Sequence, residues 1–143
     1  MMVSTKGRYA LRVMIDLAEH NTGEYIPLTE IAARQGISEK YLESIISVLS
    51  KNGYLKALRG KGGGYKLARA PGDYTVGSIL KLAEGSLAPV ACLEEGRSDC
   101  VRSGGCRTLG MWTRLQALID NFVEGITIAD LLLEDNEADN YSI

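Results

Sequence analysis

The stretch ISEKYLESIISVLSKNGYLKALRGKGGGYKLA, residues 37–68, carries two periodicities in succession. In its first part Leu42, Ile45, Ile46 and Leu49 recur at steps of one and three, which stack on one face of a helix. Ser38 suits the N-cap because its hydroxyl can accept an orphan backbone N–H, and Glu39 favours the positive helix end. Asn52-Gly53 is a stop signal. Beyond it, Tyr54, Leu55, Ala57 and Leu58 read as one strand, and Tyr65 and Leu67 as a second. Gly60, Gly62, Gly63 and Gly64 form the turn between them, with Arg59 and Lys61 at its tip. Just upstream, LTEIAARQG (28–36) reads as a short helix facing inward through Leu28, Ile31 and Ala32 and ending at Gly36. Two helices around a glycine make a helix-turn-helix pattern, and a basic-tipped hairpin directly after it is a wing. The expected fold is therefore mainly α: a winged helix-turn-helix domain with a two-stranded wing and a long C-terminal dimerisation helix.

The flanks fit that frame. From Thr5 to His20, the apolar residues Tyr9, Ala10, Val13, Met14, Leu17 and Ala18 form a helical stripe, which NTGEYIP (21–27) breaks. Thr75 to Glu84 reads as a helix turned inward through Val76, Ile79, Leu80 and Ala83. Residues 108–123 place Leu109, Trp112, Leu115, Leu118, Ile119, Phe122 and Val123 at helical spacing. A small winged domain cannot easily bury so long a stripe, so a second subunit is expected to cover it, with Trp112 and Phe122 central. Thr127 should cap a last short helix before the polar tail NEADNYSI. The expected partition is residues 1–84 for DNA binding, 85–107 as a cysteine-containing sensor loop, and 108–143 for dimerisation.

The formal net charge of −2 hides an asymmetry. Residues 1–70 hold eleven Lys/Arg against six Asp/Glu (+5), whereas residues 71–143 hold five against twelve (−7). A basic first half suits a polyanion, and an acidic second half suits a regulatory or dimerising part. Lys6, Arg8, Arg12, Asp16 and Glu19 interrupt the N-terminal stretch, which excludes a signal-peptide core or a membrane span there. A cytoplasmic location is expected, with no membrane partner.

A recognition helix presents its N-terminal turns to the major groove. Here those turns offer Glu39, Lys40, Tyr41, Glu43 and Ser44. Lys40 and Ser44 can donate to bases or phosphates, while Glu43 can accept from a cytosine amino group or pair with a basic neighbour. Arg59 suits a narrow minor groove, and Lys6, Arg8 and Lys61 suit phosphates. The expected partner is double-stranded DNA.

All three cysteines, Cys92, Cys100 and Cys106, lie in CLEEGRSDCVRSGGC (92–106). In a reducing compartment such a cluster more often binds metal or senses redox than staples a fold. Thiolates suit an iron–sulfur cluster or zinc. Thiol redox switching without metal and an inert loop are the other readings. With one histidine, no nucleophile elbow and no phosphate loop (GKGGGY lacks the lysine-Ser/Thr pair), an enzyme is not expected.

In order along the chain, STKGRYALRVMIDLA, ISEKYLESIISVLSKNGYL, RGKGGGYKLA and ITIADLL resemble the IscR/CymR group of bacterial winged-helix regulators, the Rrf-two family, from about Ser4 to Leu132. The resemblance implies a homodimer whose C-terminal helices cross, with Tyr41, Leu42, Glu43 and Arg59 matching motif positions. It also implies a cluster (2Fe–2S or 4Fe–4S) held by Cys92, Cys100 and Cys106 with a fourth, non-cysteine ligand. The chain departs from the pattern at several places. Lys40 and Ser44 replace the Ser and Gln that flank YLE, and the first cysteine gap is longer. Leu109 stands where the iron–sulfur regulator has histidine, and Arg8 falls in the region where a nitric-oxide-sensing relative has a ligating aspartate. Glu94, Glu95, Asp99 or a small thiol are the remaining candidates for the fourth position. The resemblance thus implies a repressor whose loop senses iron–sulfur or redox status. The alternative it implies, supported by EGSLAPV (84–90), is a regulator of sulfur metabolism controlled by a cysteine-synthesis enzyme or by thiol oxidation.

Overall fold

The structure is a computed structural model that describes residues 3–94 and 106–134. Helix α1 (Thr5–Glu19) begins at Ser4, whose hydroxyl accepts the Gly7 N–H, and it buries Ala10, Val13, Met14 and Leu17. Helix α2 (Leu28–Gln35) ends on Gly36 at φ 65°, the left-handed conformation that lets the chain turn directly into α3 (Glu39–Lys51). Ser38 caps α3 by accepting the Tyr41 N–H at 3.1 Å, and Leu42, Ile45, Ile46 and Leu49 face the core. Strands β1 (Leu55–Leu58) and β2 (Gly64–Leu67) pair antiparallel, with Leu55 opposite Leu67 and Leu58 opposite Gly64. Helices α4 (Val76–Glu84), α5 (Leu109–Glu124) and α6 (Ile128–Leu133) complete the order. The winged helix-turn-helix expected from residues 28–68 is present.

Two pairings tie distant segments together. Ile26 lies in the NTGEYIP break yet exchanges both backbone hydrogen bonds with Tyr65, at 2.8 and 2.9 Å, so the wing is anchored to the residue just before α2. Gly64 permits this approach: a Cβ there would land on the Ile26 carbonyl. At the other end, the Val76 N–H donates to Ile126 and the Ile128 N–H to Tyr74, at 2.8 and 3.0 Å. This bridge brings α6 back against α1 and places Ile128 in the same core as Val13, Met14 and Ile79. Thr127 caps α6 in a reciprocal box with Asp130.

Tyr74 closes the base of the wing. Its ring is fully buried, and its hydroxyl donates to the Tyr54 carbonyl at 2.8 Å while accepting the Arg69 N–H at 2.9 Å. Both strand roots are thereby held by one side chain.

The expectation for residues 108–123 divides in the structure. Val123 is buried and Ile119 partly so, against Val76, Leu80 and Leu87 in a second, smaller cluster. Trp112 is half-buried, whereas Met111, Leu115, Leu118 and Phe122 are exposed, Leu118 and Phe122 by 67% and 68%. Helices α4 and α5 meet at Gly77, where a Cβ would fall on the Glu124 carboxylate. That carboxylate accepts the hydroxyl of Thr75, the α4 N-cap, at 2.8 Å, and also pairs with Lys81.

Asp16 is 3% exposed, the one buried charged residue among those described. The Arg34 guanidinium grips it through Nε and Nη2 at 2.7–3.2 Å, and the Gln35 amide donates to it at 3.0 Å. Burial pushes the Asp16 carboxyl up, but the hydrogen bonds and charge of Arg34, with Gln35, outweigh it and hold the group below its ordinary value. A depressed carboxyl stabilises the fold above its unfolded-state value and ceases to do so as pH falls through the folded one. Arg34→Ala should therefore destabilise the protein at pH 7. The cost should be about 2–3 kcal/mol, somewhat below that of a fully buried pair because water reaches Arg34. The gap to wild type in urea unfolding should narrow as pH is lowered below about 4. A constant gap down to acid pH would remove Asp16 from this role.

Candidate nucleic-acid interface

The wing and α3 face each other across an open groove. Glu39, Glu43, Ser47 and Lys51 line it from α3, and Leu58, Arg59 and Gly60 from the wing. Helical spacing explains the α3 side: with Leu42, Ile45, Ile46 and Leu49 inward, residues 40, 43, 44, 47 and 51 must point away from the core. Glu43 and Arg59, read separately from the sequence, are thus brought to one groove. Neither has an ion-pair partner among the described residues.

The other α3 candidates differ in character. Lys40 is fully outward. The Ser44 hydroxyl donates its proton to the Tyr41 carbonyl at 2.7 Å, leaving its oxygen as an acceptor. The Tyr41 ring packs edge-on against Tyr9 of α1 at 5.9 Å between centroids, and Arg12 lies over Tyr9. Tyr41 is therefore also a strut between α1 and α3.

The hairpin turns in the left-handed region at Gly60 and Gly62, φ 91° and 78°, which presents Arg59 and Lys61 to solvent. Lys56 and Lys66 stand directly opposite each other across the strands, a pairing of like charges that costs stability. Lys66 relieves it by donating to the Gly23 carbonyl and lying over the Tyr25 ring. Lys6 and Arg8 sit on the first turns of α1, where Arg8 donates to the Thr5 hydroxyl. Ser47, Lys51, Lys56 and Lys66 were not singled out in the sequence reading. The i+4 spacing 43, 47, 51 and the strand register were the signals that could have found them.

Of the cysteines, Cys92 lies half-buried in a single helical turn, Ala91–Leu93. Cys106 is half-buried just ahead of α5, its Sγ 3.4 Å from the Thr108 hydroxyl. Cys100, Glu95 and Asp99 lie outside the described residues. Among the described residues, no three His, Cys, Asp or Glu side chains converge on a metal position. Leu109 opens α5 and offers no donor atom, and His20 is turned to the Asp16 carbonyl at 2.8 Å. The donor chemistry of three thiols suits an iron–sulfur cluster.

Residues 3–134 match the family model described as Rrf2, iron-dependent transcriptional regulator. The chain is 39% identical over 137 residues to the HTH-type transcriptional regulator IscR of Vibrio atlanticus, which covers 96% of this chain and 78% of that one. Its structure is similar to that of IscR from T. potens, with a TM-score of 0.73, 38% identity and coverage of 100% and 92%. It is also similar to CymR, the global cysteine regulator of B. subtilis, with a TM-score of 0.73, 34% identity and coverage of 92% and 96%. With a winged helix-turn-helix and a family match over nearly its whole length, this chain belongs to the Rrf2 family of transcriptional regulators.

Proposed function

We propose that this regulator binds double-stranded DNA as a homodimer and represses transcription according to the state of its cysteine loop. The observation that carries the reading is the groove that sets Glu43 on α3 opposite Arg59 on the wing. An N-terminal turn of α3 entering the major groove would present Lys40, Glu43 and Ser44 to base edges, with Tyr41 at its side. Arg59 would then reach the adjacent minor groove, and Lys6, Arg8 and Lys61 would hold phosphates. Glu43 would add selectivity, since a carboxylate is tolerated only where an amino group meets it. In this reading residues 1–84 contact DNA, 85–107 sense and 108–143 join the subunits, in the cytoplasm. Among the described residues no helix is long and apolar enough to cross a membrane.

Met111, Leu115, Leu118 and Phe122 follow one another at spacings of four, three and four, the seam of a helix that meets another helix. A second copy supplies that partner. Cys92, Cys100 and Cys106 would hold the cluster, 2Fe–2S or 4Fe–4S, which would cross-link the loop and make it sensitive to oxidant and iron supply. The likeness to the cysteine regulator CymR, together with the absence of a donor at Leu109, favours a second reading. There, a cysteine-synthesis enzyme or thiol oxidation controls the same DNA-binding dimer.

Arg59→Ala should weaken binding to the operator, once selected from genomic fragments, by about 1–3 kcal/mol. Wild-type affinity should fall steeply with salt. A salt-independent affinity, or an Arg59→Ala protein that binds as wild type, would overturn the DNA-facing assignment.

Leu118→Asp leaves a monomer soluble, because the position is exposed there, but places a charge in the seam. Sedimentation should show monomers, and operator affinity should collapse because one monomer cannot span half-sites about 34–36 Å apart. A variant that still sediments as a dimer places the subunit contact elsewhere.

Anaerobically purified protein should be brown and contain iron and sulfide, and each of Cys92→Ala, Cys100→Ala and Cys106→Ala should bleach it. Protein that stays colourless and iron-free after reconstitution sinks the cluster and leaves the second reading.

A further inference from the structure

Glu84 is the last residue of α4, yet its carboxylate sits on the start of α1. Its Oε1 accepts the Ser4 backbone N–H at 2.8 Å and the Ser4 hydroxyl at 2.6 Å, across 80 residues of sequence. Ser4 is the α1 N-cap, and its hydroxyl oxygen accepts the Gly7 N–H at 3.2 Å. Gly7 leaves room for this: a Cβ there would land on the Glu84 carboxylate. One external side chain therefore fixes the first turn of α1, the turn that carries Lys6 and the residue before Arg8. A carboxylate beside a helix N-terminus is favourable for the helix. Beside a surface that meets phosphate it has the wrong sign, so attraction of DNA is not what it contributes. The same construction recurs at α4, where Glu124 takes the Thr75 hydroxyl over Gly77.

We propose that Glu84 is a positioning residue for DNA binding: by holding Ser4 it sets the first turn of α1 so that Lys6 and Arg8 meet phosphates together. This rests on the reading of Lys6 and Arg8 as phosphate contacts. The side chain does not touch DNA and acts only through Ser4 and the helix it caps.

The test uses the full chain and a fluorescein-labelled mixed-sequence DNA duplex, with anisotropy measured across a salt series. Lys6→Ala and Arg8→Ala should each lower the slope of log affinity against log salt by about one. Removal of the Glu84 charge alone would strengthen binding to a polyanion. Positioning predicts the reverse: Glu84→Ala weakens binding several-fold and lowers the slope by about one to two. Glu84→Gln, whose amide oxygen still accepts from Ser4, should restore the wild-type slope. Gly7→Ala should reproduce the slope loss by displacing Glu84. In the Glu84→Ala background the carboxylate clash is gone and the methyl keeps only a tight approach to Val3 Cγ1 at 3.2 Å, so it should change nothing further in binding. That pair of results separates positioning from misfolding. The proposal is overturned if Glu84→Ala binds as tightly as wild type with its slope intact, or if Gly7→Ala acts equally in both backgrounds. Unchanged slopes in Lys6→Ala and Arg8→Ala defeat the phosphate reading itself. Lowered slopes there with an intact Glu84→Ala slope defeat only the role of Glu84.

Discussion

A carboxylate buried in the core sets how the helix-turn-helix and the wing are assembled. Asp16 projects from the central helix and is satisfied by Arg34 and Gln35, both at the C-terminal end of α2. That grip fixes the end of α2 from which the chain turns, through Gly36, into α3. The other end of α2 follows Ile26, which is hydrogen-bonded to the wing. Helix-turn-helix and wing therefore take their places from one helix, which Asp16 holds at its C-terminal end while Ile31 and Ala32 pack it into the core. A well-packed apolar residue would have cost less to bury, but it would not have specified a direction.

Helices α5, α4 and α1 are joined in series by the same chemical device used twice, and its second use, at Glu84 and Ser4, crosses from the acidic half to the basic half. In each case a glutamate at the end of one helix reaches the hydroxyl that caps the start of another, and a glycine clears the space. Glu124 links α5 to α4, and Glu84 links α4 to α1. The pairing of Thr75 with Thr127 adds a backbone connection between the start of α4 and the start of α6. The segment with the apolar seam is thus in continuous contact with the segment that carries Lys6 and Arg8.

Much of the fold was legible because its determinants are local. The α3 stripe, the Ser38 and Thr127 caps and the glycine turn of the wing are all set by residues within a few positions of one another. What escaped the reading is non-local. Asp16 counted only as a charge that excludes a membrane span, because nothing in its neighbourhood announces a partner 18 residues away. Ile26 looked like part of a break, since strand pairing of a single residue leaves no period. Glu84 looked like an ordinary helix end. At the candidate site, Glu43 and Arg59 could be chosen by residue type and position, but their shared groove depends on Tyr74 and Ile26 holding the hairpin. The stripe on α5 was visible as a whole. It divides between Val123, packed against α4 where Gly77 lets the helices approach, and Phe122, turned outward.

Gly64 has a consequence for what the protein can recognise. Because the strand it opens is bonded on one side to β1 and on the other to Ile26, the hairpin cannot swing toward or away from α3 without breaking backbone pairing. The gap between the two arms is consequently a fixed calliper. A surface that met both arms would have to supply the matching span. For a nucleic acid, selectivity of this kind would come from the stiffness of the partner, at positions where no side chain makes contact.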